Sequence, residues 1–264
     1  MCSSDLQRSN VHLRTLTINQ FGRIMTRKKT TLAIVGCYVL TGFLLAGSLR
    51  AADSVSTDWT RFRGSAGTGH GVGDLPTKWD ANSVAWSAEL PVQGHSSPIV
   101  LGNRIFLTGW TRIDAGVERR MLCIDRETGK DVWNKIVAVA DGEKLHNMNS
   151  WATPSCATDG ECVVGFFGPG GLHCLTVDGD RLWARSLGEF PGGWGIGGSP
   201  IIYGDSIIQN CDAQGDSFLL AVNKKTGEDI WRTQRRSKPR GGWSTPIVSD
   251  VDRAEEGRGG KEWR

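Results

Sequence analysis

From Trp59 onward the chain is a succession of short apolar runs, most of them alternating with polar residues at a period of two, and each broken by Gly, Asn, Asp or Pro. That pattern predicts many short strands joined by tight turns rather than amphipathic helices, whose apolar positions would recur at 3.6 residues. The runs are not independent. Trp86, Trp133, Trp183 and Trp231 each close a strand-like segment, at spacings of 47, 50 and 48 residues. A second marker follows each tryptophan, Ser97-Pro98, Thr153-Pro154, Ser199-Pro200 and Thr245-Pro246, and opens the next apolar run.

Between the markers the segments align. Leu122 to Trp133 lies over Leu220 to Trp231, and His173 to Trp183 is the same unit one residue shorter. Each reads as strand, turn, strand. Asp125, Asp178 or Asn223 starts the turn through its side chain, and Gly129, Gly179 or Gly227 supplies a positive φ that other residues adopt only with strain. A further hairpin precedes each, with Gly102-Asn103 and Gly204-Asp205 at two of the tips. About 40–50 residues holding four antiparallel strands is the size of one blade of a β-propeller. Such a sheet buries its faces only by stacking on neighbours, and an indole at a fixed place in every unit suits that stacking. The expected fold is all-β, a β-propeller over residues 58–252, with about four units visible. A propeller of typically 4–8 blades closes on itself, so an incomplete ring of about four blades out of seven or eight is expected.

The ends read differently. Residues 25–52 have a basic start (Arg27, Lys28, Lys29), an apolar stretch from Thr31 to Leu49 and small residues at Ala51-Ala52, the plan of an export signal. The stretch approaches the roughly 20 residues of a spanning helix, so cleavage and retention as a membrane anchor both stay open. Either way the repeats are expected outside the cytoplasm, in the periplasm or at the cell surface. Residues 1–24 precede the signal's own methionine, and Met1 to Leu6 resembles translated adapter sequence, as does the stretch from Arg253 to Arg264. Both ends, 1–24 and 253–264, are expected to be non-native.

Composition narrows the function classes. The net charge of +3 is small, and basic residues are scattered among acidic ones except at Arg232, Arg235, Arg236, Lys238 and Arg240. Without interleaved aromatics that run is better read as a solvated loop than as an anion site, and no nucleic-acid partner is expected. The glycine clusters 67–73 and 192–198 lack the strand-to-helix context of a nucleotide loop. The histidines show no metal-ligand spacing. His95 and His146 each precede the innermost strand of a unit, which makes them candidates for the rim of the central channel. Cys123 and Cys174 align with Ala221, so they read as small core residues, whereas Cys156 and Cys162 flank a hairpin turn and are candidates for a disulfide across it.

At these residues the sequence resembles the pyrroloquinoline-quinone (PQQ)-like β-propeller repeat, whose signature is Ala-x-Asp-x-x-Thr-Gly-x-x-x-Trp. Ala221 to Trp231 matches it with Asn223 in place of Asp, and Cys123 to Trp133 matches nearly as well. Asp58-Trp59-Thr60-Arg61-Phe62-Arg63-Gly64 is similar to the segment that opens secreted bacterial members. The resemblance implies the fold. For function it leaves three classes: non-catalytic scaffolds, quinone-dependent dehydrogenases and extracytoplasmic sensor domains. The dehydrogenase reading implies bound PQQ and calcium, a catalytic aspartate and, in many members, adjacent cysteines. No adjacent cysteine pair and no legible calcium site occur, so no catalytic residue is assigned and no cofactor is expected. The favoured reading is a scaffold that binds a protein, peptide or glycan. A dehydrogenase whose active site falls largely outside residues 58–252 is the alternative.

Overall fold

A computed structural model describes residues 15–19, 58–73, 76–237 and 239–249, the first of these as main chain only. The signal or anchor at 25–52 and the tail at 253–264 lie outside the described residues, as does the 1–24 leader apart from 15–19.

Three sheets of four antiparallel strands follow one another. The first holds β3 (Ile99–Leu101), β4 (Arg104–Ile113), β5 (Gly116–Asp125) and β6 (Asp131–Ala140) in chain order. The second holds β7 (Ala157–Thr158), β8 (Cys162–Phe166), β9 (Leu172–Thr176) and β10 (Arg181–Arg185). The third holds β11 (Ile201–Tyr203), β12 (Ser206–Cys211), β13 (Phe218–Asn223) and β14 (Asp229–Gln234). The unit carrying Trp86 is represented by β2 (Val84–Glu89), which pairs antiparallel with β1 (Thr15–Asn19). Beyond β14, residues 242–248 continue without forming a strand of their own.

The cores lie between sheets, not within them. Phe106, Val117, Met121 and Cys123 of the first sheet pack with Cys156, Val163, Phe167 and Leu175 of the second. Val164, Phe166, Leu172 and Cys174 on the second sheet's other face pack with Ile207, Phe218, Leu220 and Val222 of the third. Successive residues of a strand point to opposite faces, so the middle sheet is apolar on both. Every residue of β8 is buried, whereas every residue of β14 is exposed.

Trp86, Trp133 and Trp183 each reach into the next sheet. The indole N–H of Trp86 donates to Arg126 O at 2.8 Å, that of Trp133 to Val177 O at 3.0 Å and that of Trp183 to Lys224 O at 2.8 Å. The ring then lies flat on the turn glycine. A Cβ on Gly129, Gly179 or Gly227 would come within 2.5, 2.8 or 2.8 Å of the tryptophan docked there. Glycine is therefore required twice at these turns, for its positive φ of 71°, 89° and 74° and for the approach of the indole. Two of the three turns are held as expected: Asp125 Oδ1 accepts from Glu127 N, Thr128 N and the Thr128 hydroxyl, and Asn223 Oδ1 from Lys225 N and Thr226 N; in the second sheet Thr176 Oγ1 accepts from Asp180 N instead, and Asp178 pairs with Arg104. Trp231 is 39% exposed against 8% for Trp133, because no described residue follows to receive it.

A second relay runs along the innermost strands. Ser97 N donates to Ser155 Oγ at 2.9 Å, Ser155 N to Ser199 Oγ at 3.0 Å and Ser199 N to Thr245 Oγ1 at 3.1 Å. This corrects the alignment of the markers. Ser155, not Thr153, is the equivalent of Ser97 and Ser199, with Cys156 standing where the others have proline. Thr153 instead closes a local turn, its hydroxyl accepting from Ser150 N and donating to Ser150 O.

Candidate functional site

The loops that lead into the innermost strands carry a cluster of exposed aromatics. Trp194 is 50% and Trp243 51% exposed, and Met148 is more exposed still. The His146 ring stacks on Trp194 with centroids 4.1 Å apart and planes at 22°, and Trp243 meets Trp194 edge-on at 6.4 Å. Hydrogen bonds fix the three loops to one another. Asn149 Nδ2 donates to the carbonyls of Trp194 and Ile196, and the Trp243 indole N–H donates to Gly195 O at 3.0 Å. A Cβ on Gly195 would stand 2.8 Å from Asn149 Nδ2, so the glycine lets the two loops close.

Of the two rim candidates, His146 thus belongs to the aromatic cluster, its Nδ1 accepting from Met148 N at 3.2 Å. His95 does not join it. Its main chain donates to Ala152 O at 3.0 Å, two residues ahead of the Ser97 relay, and its ring is partly buried. Sequence reasoning missed Trp194 and Trp243. The signal was present: Gly-Gly-Trp occurs at 192–194 and again at 241–243, 49 residues from tryptophan to tryptophan, the spacing of the repeat itself.

The other chemically able groups are structural. The candidate bridge between Cys156 and Cys162 does not form, and all five described cysteines are free and buried. The hairpin register pairs Ala157 with Val164 and Thr158 with Val163, so the two cysteines are not opposed. They also face different cores, Cys156 toward the first sheet and Cys162 toward the third. Burial pushes the Cys123 and Cys211 thiols up to about 12 and that of Cys156 higher still, and the Cys174 thiol is raised first by its hydrogen bond with Cys162 and then by burial. These four are thiols, not thiolates, at neutral pH.

Between the first and second sheets sits a buried polar layer that composition did not reveal. Arg119, on the same face of β5 as Val117 and Met121, is fully buried and ion-paired with Glu143. Burial lowers the Arg119 pKa against the opposing pull of Glu143, and burial raises that of Glu143 against Arg119. His173 Nε2 lies 2.7 Å from Gly170 O, and burial holds its pKa below 6.5. Lys224 plays a similar part at the next seam, joining Asp159 at 2.7 Å and Glu161 at 2.9 Å, partners that raise its pKa.

Two residues of the basic run are ion-paired. Arg232 pairs with Asp216 at 2.7 Å while lying 3.5 Å over the Phe218 ring, and Arg235 pairs with Asp212 at 2.8 Å. Lys238 lies outside the described residues. A calcium ion takes six to eight converging oxygen ligands, and the acidic side chains here are dispersed over turns and ion pairs, with no cluster of three or more His, Cys, Asp or Glu among the described residues. Among the described residues no set of side chains offers a calcium ion such a cradle.

Sheets of four antiparallel strands, stacked through cores between them and joined by an indole from each to the turn of the next, define a β-propeller with tryptophan-docked blades. The chain belongs to the PQQ-like repeat family: residues 70–208 and 123–255 match the family model described as outer membrane protein assembly factor BamB. No curated protein matches it by sequence. Similar solved structures include a europium-containing methanol dehydrogenase, with 13% identity over 55% of this chain and 25% of that one and a TM-score of 0.39. The quinohemoprotein alcohol dehydrogenase from Comamonas testosteroni shows 16% identity over 53% and 21%, with a TM-score of 0.40. BamB from Moraxella catarrhalis shows 16% identity over 58% and 52%, with a TM-score of 0.32. The chain spans between 21% and 52% of the length of these three.

Proposed function

We propose that this chain is an exported, non-catalytic interaction module whose blades hold an aromatic loop surface against a protein or peptide partner. The observation that carries the reading is the His146–Trp194–Trp243 cluster: two half-exposed tryptophans, fixed by hydrogen bonds on three loops of a rigid scaffold. Large aromatics held exposed without a core to fill are what binding surfaces are enriched in. The nucleophiles and titratable groups of the blade interior are buried in packing or ion pairs, which supports the same reading. The family match to an outer membrane assembly factor is consistent with an exported scaffold. A photo-crosslinking residue placed at Trp194 or Trp243 and expressed with the native export signal tests it. Discrete adducts from both positions, absent when the probe sits at the exposed outer-strand residue Val132, are expected; the same adducts from Val132 would overturn the proposal.

A further inference from the structure

The segment Asp58 to Thr60 lies along the inner edges of the first two blades. Trp59 exchanges two main-chain hydrogen bonds with Val100 of β3, both 2.8 Å, and Thr60 O accepts from Thr158 N of β7 at 2.9 Å. Asp58 Oδ1 accepts from Gly102 N at 2.9 Å, which fixes the start of this strip. The strip therefore covers the inner edge of the first blade and then of the second.

It does not reach the third. In the strand registers Val100 pairs with Ile105, Thr158 with Val163 and Ile202 with Ile207, so Ile202 is the residue equivalent to the two that are covered. Directly opposed residues of an antiparallel pair alternate between bonding each other and pointing their N–H and C=O away. Val100 points its pair at Trp59, and by the same register Ile202 points its pair inward, where no described residue takes them. A sheet edge of this kind is a template for added strand.

The open edge faces a cleft of about 260 Å³, lined by Thr60, Arg61 and Ser65 on one side and by Ile201, Tyr203 and Val248 on the other. Arg61 is built into its wall. Its Nε donates to Ser65 O at 3.1 Å, and its guanidinium lies on Gly67, where a Cβ would come within 2.7 Å of Nη2. Among the described residues the two Nη groups take no partner, and partial burial lowers the Arg61 pKa, a desolvation cost that an anion would offset. A planar guanidinium with two free N–H groups matches a carboxylate.

We propose that the inner edge of β11 and Arg61 together bind an extended peptide ending in a carboxylate, the main chain adding at Ile202 and the carboxylate pairing with the guanidinium. This rests on the interaction-module reading and gives it a second surface, separate from the aromatic loops. The strip of Trp59 and Thr60 shows what an occupant of this edge looks like, and Arg61 shows what charge it carries.

The test is fluorescence polarisation with the whole chain and fluorescein-labelled Val-Thr-Val-Thr as free acid, as C-terminal amide and with its central amides N-methylated. The free acid should saturate, the amide should bind about tenfold more weakly, and the N-methylated probe should not bind. Arg61→Gln, checked for unchanged tryptophan emission, should bring the free acid down to the affinity of the amide. Absence of saturation, equal binding of acid and amide, or undiminished binding of the N-methylated probe would each overturn the proposal. Crosslinking from Trp194 that persists without peptide binding would sink this inference alone, whereas loss of both would sink the reading on which it rests.

Discussion

Gly227 and Gly204 lie in the same blade, both in turns and both with positive φ, 74° and 56°. Alanine at either position meets the same backbone penalty, about 1–2 kcal/mol for an L-residue held left-handed. Their surroundings differ. At Gly204 an added Cβ meets nothing within 4 Å, whereas at Gly227 it comes within 2.8 Å of Cδ2 of Trp183. The indole has no room to withdraw without stretching its 2.8 Å hydrogen bond to Lys224 O and leaving the core it shares with the second blade. Overpacking of that kind costs a further 1–3 kcal/mol, roughly. Gly204→Ala is therefore expected to destabilise by about 1–2 kcal/mol and Gly227→Ala by about 2–5 kcal/mol. Urea unfolding followed by tryptophan emission reads the difference as a lower midpoint at unchanged slope. Equal midpoints for the two variants would refute the account of tryptophan docking.

Other consequences follow from the same seams. Trp133→Ala should cost about 3–5 kcal/mol as a buried large-to-small change, while Trp231→Ala, at a residue 39% exposed, should cost under about 2 kcal/mol; comparable losses in urea melts would show that Trp231 is docked in solution. His173 is held neutral by burial with its pKa below 6.5, so the unfolded chain takes up the proton first and stability should fall as pH drops below that value. Thermal melts from pH 7.5 to 5 should show this slope, and His173→Gln should flatten it; an unchanged slope would place His173 in contact with water. Arg119→Met leaves Glu143 without its partner in a mostly buried site and should cost about 3–5 kcal/mol, partly recovered by adding Glu143→Gln; a neutral single variant would contradict the buried pair. Cys123, Cys156, Cys162, Cys174 and Cys211 should resist a thiol reagent in the native protein and all react in urea, and fast native labelling of any of them would show that its core is open.

The repeat was legible because its constraints are local and recur. Asp125 or Asn223 capping a turn, a glycine at positive φ and a tryptophan closing the strand are fixed by backbone chemistry within a dozen residues, so composition and spacing reveal them. The equivalence of Cys123, Cys174 and Ala221 was legible for the same reason, each being the cross-strand partner of a signature tryptophan. Four features depended on distance. The relay hydroxyl of the second blade is Ser155 because β7 starts later after its marker, a shift that Thr153-Pro154 conceals. The candidate Cys156–Cys162 bridge does not form, because proximity across a turn does not fix which face a residue takes, and here the two faces belong to different cores. Arg119 sits at an apolar parity of β5, and only its partner Glu143, from a separate loop, explains why a charge is tolerated there. The aromatic cluster is assembled from three loops that are far apart in sequence, so no single window contains it.

The most direct test of the central claim is a calorimetric titration of the purified chain with PQQ and calcium, run alongside dye-linked alcohol oxidation. An interaction module of this family should show neither saturable binding nor turnover. Saturable quinone binding accompanied by oxidation would contradict the account and place a catalytic centre in the ring.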